Sequence, residues 1–325
     1  MRRSRLATVA KYAAFAVLIA LLSIALSRNF GEVKDKLARL SLRSLVAAQL
    51  AVLLGLACTM FAWRELLGEL GTPLKRVDAA RIYFLGQLGK YVPGSVWPVV
   101  MQMELGNAIG LARPAVASAG ILGIGYGLGT GAGVMLLAAP ALLANHSKLT
   151  WAGPGLGLVA LCLLCLPRPM NRLVTIGLRL TRRQGITPAF TAPGLIRATG
   201  WMVASWVLFG LQIAWLAHDL GAVGAHVTIV SVGAFTAAVC VGLVVIFAPA
   251  GAGARELLLV VLLKPVLARD PATALALVSR LLQSLGDVVV AVSAIITTRG
   301  ARMAARRRNP VTIGEDETSG GISTG

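Results

Sequence analysis

Residues 82–101 read IYFLGQLGKYVPGSVWPVVM. Most of this stretch is apolar enough for a lipid bilayer, yet a lysine, a Pro-Gly pair and a second proline interrupt it. An unbroken helix would satisfy every backbone group in hydrocarbon, where no water is present to do so. Lys90, Pro93, Gly94 and Pro98 therefore carry a cost that a plain membrane anchor has no reason to bear.

The rest of the chain sets the context. Its 325 residues are 57% hydrophobic and 14% charged, with a mean hydropathy of +0.78. That is too apolar for a soluble domain. A helix crossing about 30 Å of hydrocarbon needs roughly 20 mostly apolar residues. Runs at 12–26, 44–62, 114–139, 152–166, 200–217, 226–247 and 272–297 read as spans. The run at 256–268 is short for a crossing, and 82–104 is long enough but broken. No alternating barrel pattern appears. The sequence thus predicts an all-α integral membrane protein of about eight transmembrane helices in two halves, each half with a Gly/Pro-broken or re-entrant segment. Both termini read as cytoplasmic, which requires an even number of crossings, and seven spans plus one irregular segment supply it.

The net charge of +18 raises nucleic acid as a partner, and its distribution excludes it. Basic residues sit at junctions between apolar runs: Arg2, Arg3 and Arg5; Arg64, Lys75, Arg76 and Arg81; Arg168, Arg172, Arg179, Arg182 and Arg183; Arg302 and Arg306 to Arg308. The positive-inside rule produces this pattern against anionic headgroups of a cell membrane. No aromatic residues interleave with them as a nucleic-acid surface requires. One stretch, 28–43, carries five basic residues offset by Glu32 and Asp35, although it should lie outside. The first run has a basic start but no small-residue cleavage site, so it reads as an uncleaved helix. Cys58, Cys162, Cys165 and Cys240 lie in apolar runs and read as packing residues. His146, His218 and His226 have no ligand spacing, so neither metal nor cofactor is expected.

Two halves, 1–166 and 198–298, flank a basic loop at 167–197, and 299–325 reads as a basic and then disordered cytoplasmic tail. Within the loop, Leu173, Ile176 and Leu180 share one helical face and Arg172, Arg179 and Arg183 another, which suits a helix in the headgroup plane. The plainer alternative is a soluble basic linker. In the span AGILGIGYGLGTGAGVM, Gly123, Gly127 and Gly131 form one small-residue face and Gly125, Gly129 and Gly133 another. Such faces let helix backbones approach on two sides.

The second half has its own interruption, APAGAGAREL at 248–257. Gly/Pro breaks at corresponding places in two halves point to a transporter-like site. Lys90 lies nine residues beyond Arg81, about 14 Å along a helix and so near the middle of the hydrocarbon. Ser95 then stands where it caps a new half-helix. The intramembrane ionisable residues are Lys90, Glu104, Arg255, Glu256, Arg280 and Asp287, and an ionised group there costs roughly 2.5–3.5 kcal/mol. Arg280, Ser284 and Asp287 share a face with Gln283 alongside. Arg255 and Glu256 follow Gly251 and Gly253 at a helix start, where free N–H groups favour an anion. Two such starts and two cations converging on one anion would suit a phospholipid or polyprenyl-phosphate head. The plainer reading pairs Lys90 with Glu104 or Glu256, and Arg255 with Asp287, only to make burial tolerable.

The segments LGKYVPGSVWPV, ELGNAIGLARPAVASAGIL and PAGAGARELLL, in that order, resemble the flippase-like membrane domain of lysylphosphatidylglycerol synthases and its stand-alone relatives. The resemblance covers about residues 6–298 and implies about eight spans. It implies a role in moving or exposing modified phospholipids or lipid-linked sugars, with cell-envelope glycosyltransferases as partners. Carried over by motif, the functional positions are Lys90, Tyr91, Pro93, Gly94 and Trp97 with Pro249, Gly251, Gly253, Arg255 and Glu256. Many relatives carry a basic residue soon after the tryptophan, where this chain reads VVMQME at 99–104, so headgroup preference is expected to differ. The synthases carry a soluble aminoacyl-transferase domain after the membrane part. This chain stops soon after its last apolar run, so lysine transfer to lipid is not expected of it.

Three function classes remain open. A lipid translocase has no Walker A sequence for fuel and would scramble passively or couple to an ion or proton, with Glu104, Glu256 or Asp287 as carrier. An intramembrane glycosyl or phosphoryl transferase would need paired carboxylates for metal, and no DxD or DDxxD occurs. HExxH and GxGD protease patterns are missing too, so no enzyme activity is expected. A non-transporting scaffold for envelope enzymes has no need of buried charge.

Overall fold

A computed structural model describes residues 39–92, 96–143, 148–180, 189–244 and 253–308. Among these, helices succeed one another as α1 (Leu42–Glu69), α2 (Arg76–Gln87) with a 3-10 turn at Leu88–Tyr91, α3 (Trp97–Asn107), α4 (Arg113–Leu143) and α5 (Lys148–Leu164). Then come α6 (Pro167–Leu180), α7 (Ala192–Asp219), α8 (Val227–Val244), α9 (Ala254–Leu262) and α10 (Arg269–Arg308). No strand occurs among the described residues.

Helices α1 and α7 are built alike. Each starts on a hydroxyl cap, Ser41 accepting the N–H of Ser44 and Thr191 that of Gly194, which serves donors a helix start leaves unpaired. Each runs 28 residues, about 42 Å at 1.5 Å per residue. Each ends on a Leu-Gly pair whose glycine is left-handed, Gly71 at φ 82 and Gly221 at φ 99, closing the last turn as side-chain-bearing residues rarely can. The two pack antiparallel, with Gly55 directly under the Phe209 ring. The last carboxylate of each also holds the start of the other. Asp219 accepts the Ser41 N–H at 2.7 Å, and Glu69 accepts the N–H and hydroxyl of Thr191.

Both α1 and α7 lead into a broken pair of shorter helices and then a long span. The order α1, α2–α3, α4 matches α7, α8–α9, α10, and because α1 and α7 are antiparallel, the repeat is inverted. In the first copy the broken pair folds back. A methyl on Gly86 would strike Gln102, and one on Gly89 would lie 2.8 Å from the backbone of Trp97 and Pro98. Helix α3 then returns along α4, Gly106 against Val116 and Gly120 against Val99. The segment at 82–104 is therefore re-entrant and adds no crossing. In the second copy α8 enters from the opposite end of the bundle, beyond the α7 terminus. Half-helix α9 then lies antiparallel to α10, with Glu256 level with Arg280.

Four helices, α1, α4, α7 and Arg269–Thr298 of α10, are long and apolar enough to cross a membrane, and α5–α6 makes five if that bent pair is one span. The eight expected from the sequence also count α8, whose apolar part Val227–Leu243 is shorter, one of the two irregular segments at 82–104 and 256–268, and 12–26, which lies outside the described residues. Helix α6 turns 73° from α5 and leaves Leu173 and Ile176 exposed, the geometry of a helix lying in the interface. Two sequence boundaries shift. The link expected to end at Arg197 ends at Thr191, because α7 is already capped there. Helix α10 continues without a break past 298 to Arg308, so the tail begins as helix.

Of the glycines on the two faces of α4, Gly129, Gly131 and Gly133 make close approaches, on both sides of the helix, while Gly125 and Gly127 have no neighbour within 4 Å. Gly129 and Gly133 meet Leu164 and Leu161 of α5, while Gly131 meets Thr236 and Cys240 of α8 and Trp206 of α7. Tyr126 pins this junction: its hydroxyl lies 3.2 Å from the Leu164 carbonyl, 3.1 Å from that of Leu195 and 2.6 Å from the Thr199 hydroxyl. The Leu164 carbonyl, at the end of α5, is one that helix geometry leaves without an intrahelical partner.

Candidate functional site

The two broken segments bring their tips to one place on α10. Lys90 and Tyr91 sit where α2 tightens into its 3-10 turn. Both reach the same carboxylate oxygen, Oδ2 of Asp287, at 2.6 Å each. Asp287 is 2% exposed, so two donors on one oxygen replace the water it has lost. The Lys90 ammonium also lies 5.5 Å from the Tyr91 ring centroid. Next to Asp287, Gly286 presses on Val52, ten residues into the 28-residue α1. That sets the pair inside the bundle, level with the turn that follows Gln49 rather than at either end of α1.

The second tip contributes Gly253 to Glu256. Gly253, at φ 89, is the N-cap of α9. Glu256 Oε2 accepts its N–H at 2.6 Å, and Oε1 accepts from Arg280 at 3.3 Å. Glu256 thus sets its own carboxylate at this helix start, on the Gly253 N–H. Arg255 instead lays its guanidinium over the Phe235 ring of α8 at 4.8 Å, a contact that holds a cation without neutralising it. It lies within electrostatic reach of Arg280, Glu256, Tyr91 and Asp287.

Several sequence expectations change here. Lys90 pairs with Asp287 rather than with Glu104 or Glu256, and Glu256 pairs with Arg280. Asp287 is therefore not the partner of Arg255. Glu104 lies at the exposed end of α3, bonded to Arg113 at 2.9 Å, and takes no part in the cluster. The reason is the hairpin: α3 turns back towards the end where α2 began, carrying Glu104 out of the middle. Val96, not Ser95, occupies the cap position of α3, with no side-chain cap bond. Pro98 in that first turn has no N–H, so one donor fewer needs a partner. Pro93, Gly94, Ser95, Pro249 and Gly251 fall outside the described residues. Trp97 opens α3 and stays 43% exposed.

The neighbourhood also holds neutral amides, which a reading of ionised groups passes over. Gln283 donates to Gln212 of α7 at 3.0 Å, and Gln49 of α1 lies beside Gly286. Gln49 and Gln212 each stand inside an apolar run, and that was the available signal. Phe235 as the seat of Arg255 has no sequence signal, since apolar runs are full of such rings. Among the described residues, no three His, Cys, Asp or Glu side chains gather as a metal would need.

Fold and site together define a multi-pass α-helical membrane protein, with inverted halves whose broken helices carry charge into the bundle. The chain belongs to the lysylphosphatidylglycerol synthase TM region family, whose model matches residues 9–291. This makes it a membrane protein of lipid and envelope biology. No curated protein matches the chain.

Proposed function

We propose that the protein is a translocase that moves an anionic or modified phospholipid, or a lipid-linked sugar, between leaflets of the cell membrane. The observation that carries this reading is the charge balance of the cluster. Lys90, Arg255 and Arg280 face two carboxylates, Asp287 and Glu256, and Arg255 rests on an aromatic ring. Among the described residues of the cluster one positive charge is left over, that of Arg255, and one phosphate supplies its complement. The inverted repeat with paired broken helices supports the same reading, because that architecture sets substrate sites at the repeat interface. Lys90 and Arg255 bind the headgroup phosphate, Tyr91 and Phe235 lie against them, Glu256 fixes the start of α9 that carries Arg255, and Trp97 meets the lipid chains. No bond of the lipid is made or broken. The termini and basic α6 face the cytoplasm, where α6 offers a surface for envelope glycosyltransferases.

The test is leaflet exchange in proteoliposomes of phosphatidylcholine and phosphatidylglycerol carrying NBD-labelled phosphatidylglycerol. Wild-type protein is expected to accelerate exchange, and the Lys90→Ala/Arg255→Ala variant is not. Equal rates for wild type, variant and empty liposomes would remove the proposal.

A further inference from the structure

Asp287 has a buried neutral neighbourhood as well as a charged one. Gln49, Gln212 and Gln283 stand on α1, α7 and α10. The Gln212 Nε2 and both amide atoms of Gln49 are buried without a hydrogen-bond partner among the described residues. Unpartnered buried amides are costly, and ordered water is their usual remedy. Gln49 is seven residues from the start of α1 and Gln212 seven from the end of α7. Both are therefore about 10 Å from the bundle end that carries Ser41 and Asp219. The packing is close: a methyl on Gly286 would lie 2.5 Å from Val52 and 3.3 Å from Gln49 Nε2. A lipid headgroup does not fit beside Gly286, and it is the unpartnered amides themselves that call for water.

The other acidic candidates are committed elsewhere. Glu104 is at the exposed end of α3, and both oxygens of Glu256 are engaged by Gly253 and Arg280. The groups facing Asp287 are Lys90 and Tyr91 of the 3-10 turn, Tyr83 of α2, Arg255 of α9, and Arg280 and Ser284 of its own helix. On the α1 and α7 side its neighbours are Gln49, Val52 and Gln212, which do not titrate.

We infer that Asp287 is the proton-binding group that couples lipid movement to a proton gradient, loaded through water held by Gln49, Gln212 and Gln283 from the Ser41–Asp219 end. The coupling rests on the translocase reading above. A proton from water at that end neutralises the carboxylate, and Lys90 loses its counter-ion. The lipid phosphate then takes that place. When the proton leaves, the carboxylate reclaims Lys90 and the phosphate is released. The cluster has the same net charge with Asp287 ionised and the phosphate absent as with Asp287 protonated and the phosphate bound. One anion has replaced another at the Lys90 ammonium, while Arg255 stays the cation that draws the headgroup in.

The experiment uses the full chain in the same NBD-phosphatidylglycerol liposomes, with and without an imposed pH gradient. Wild-type exchange is expected to follow the gradient, and Asp287→Asn to exchange at a rate indifferent to it. Gln212→Leu, which keeps every charge, is expected to slow gradient-driven exchange about fivefold, a hydrogen bond's worth of barrier. Wild-type exchange that ignores the gradient overturns the proton coupling and leaves the translocase standing. Wild-type exchange no faster than empty liposomes overturns both. Gradient dependence kept in full by both Asp287→Asn and Gln212→Leu overturns the assignment to Asp287.

Discussion

At the scale of single residues, the energetics turn on Asp287. A carboxylate 2% exposed is tolerable only while Lys90 and Tyr91 stay on it, because removing one partner of a buried pair strands the other charge. Lys90→Met and Asp287→Leu are therefore expected to destabilise the protein less together than the sum of the two single changes. The coupling energy should be about 1–3 kcal/mol by thermal unfolding in detergent. Additive effects would mean the pair does not hold in the folded protein. Gly253 is a second single-residue case. Its φ of 89 with ψ −61 is a backbone conformation that residues with a Cβ rarely adopt, so Gly253→Ala should lower the melting temperature and displace Glu256 from its cap. Arg255 is different: substitution leaves no carboxylate stranded, so Arg255→Gln should affect lipid handling far more than stability.

At the scale of elements, the fold depends on close approaches that only glycine allows. The α2–α3 hairpin closes because Gly89 meets the backbone of Trp97 and Pro98 at a distance no methyl tolerates. Gly89→Ala must push the arms apart, costing about 1–3 kcal/mol, and should move Lys90 off Asp287. A cysteine pair across the Gly86–Gln102 contact, cross-linked in wild type and not in Gly89→Ala, would report that opening. Long spans and broken segments were legible in the sequence, because apolar run length and Gly/Pro punctuation are local properties. Whether Ile82 to Glu104 crossed or returned was not. That depends on contacts such as Gly120 on Val99, between residues far apart in the chain. The same limit applies to charges: Lys90, Arg255, Glu256, Arg280 and Asp287 stood out by type and depth. Their partners were set by the hairpin, which takes Glu104 out and leaves Asp287 to Lys90.

At the scale of the whole molecule, two copies of one plan face opposite ways and share α10 as the place where their tips meet. Asp219 holding Ser41 and Glu69 holding Thr191 fasten the copies at both ends. On the proposed translocase reading, the parts that move in a transport cycle are the broken segments rather than α1 and α7. Cross-linking α1 to α7 at both ends should spare leaflet exchange, and cross-linking α2 to α10 beside Asp287 should stop it. The inversion was hidden in the sequence, since the two breaks share only a proline and glycines, and the antiparallel pairing of α1 with α7 is a tertiary fact. The central claim is that the surplus cation of the cluster selects an anionic headgroup. The most direct measurement compares exchange of labelled phosphatidylglycerol with labelled phosphatidylcholine, for wild type and Arg255→Gln in identical liposomes. Wild type is expected to favour phosphatidylglycerol by about tenfold, the worth of one charge-assisted hydrogen bond, and Arg255→Gln to lose the preference. An equal preference in both proteins would contradict the claim.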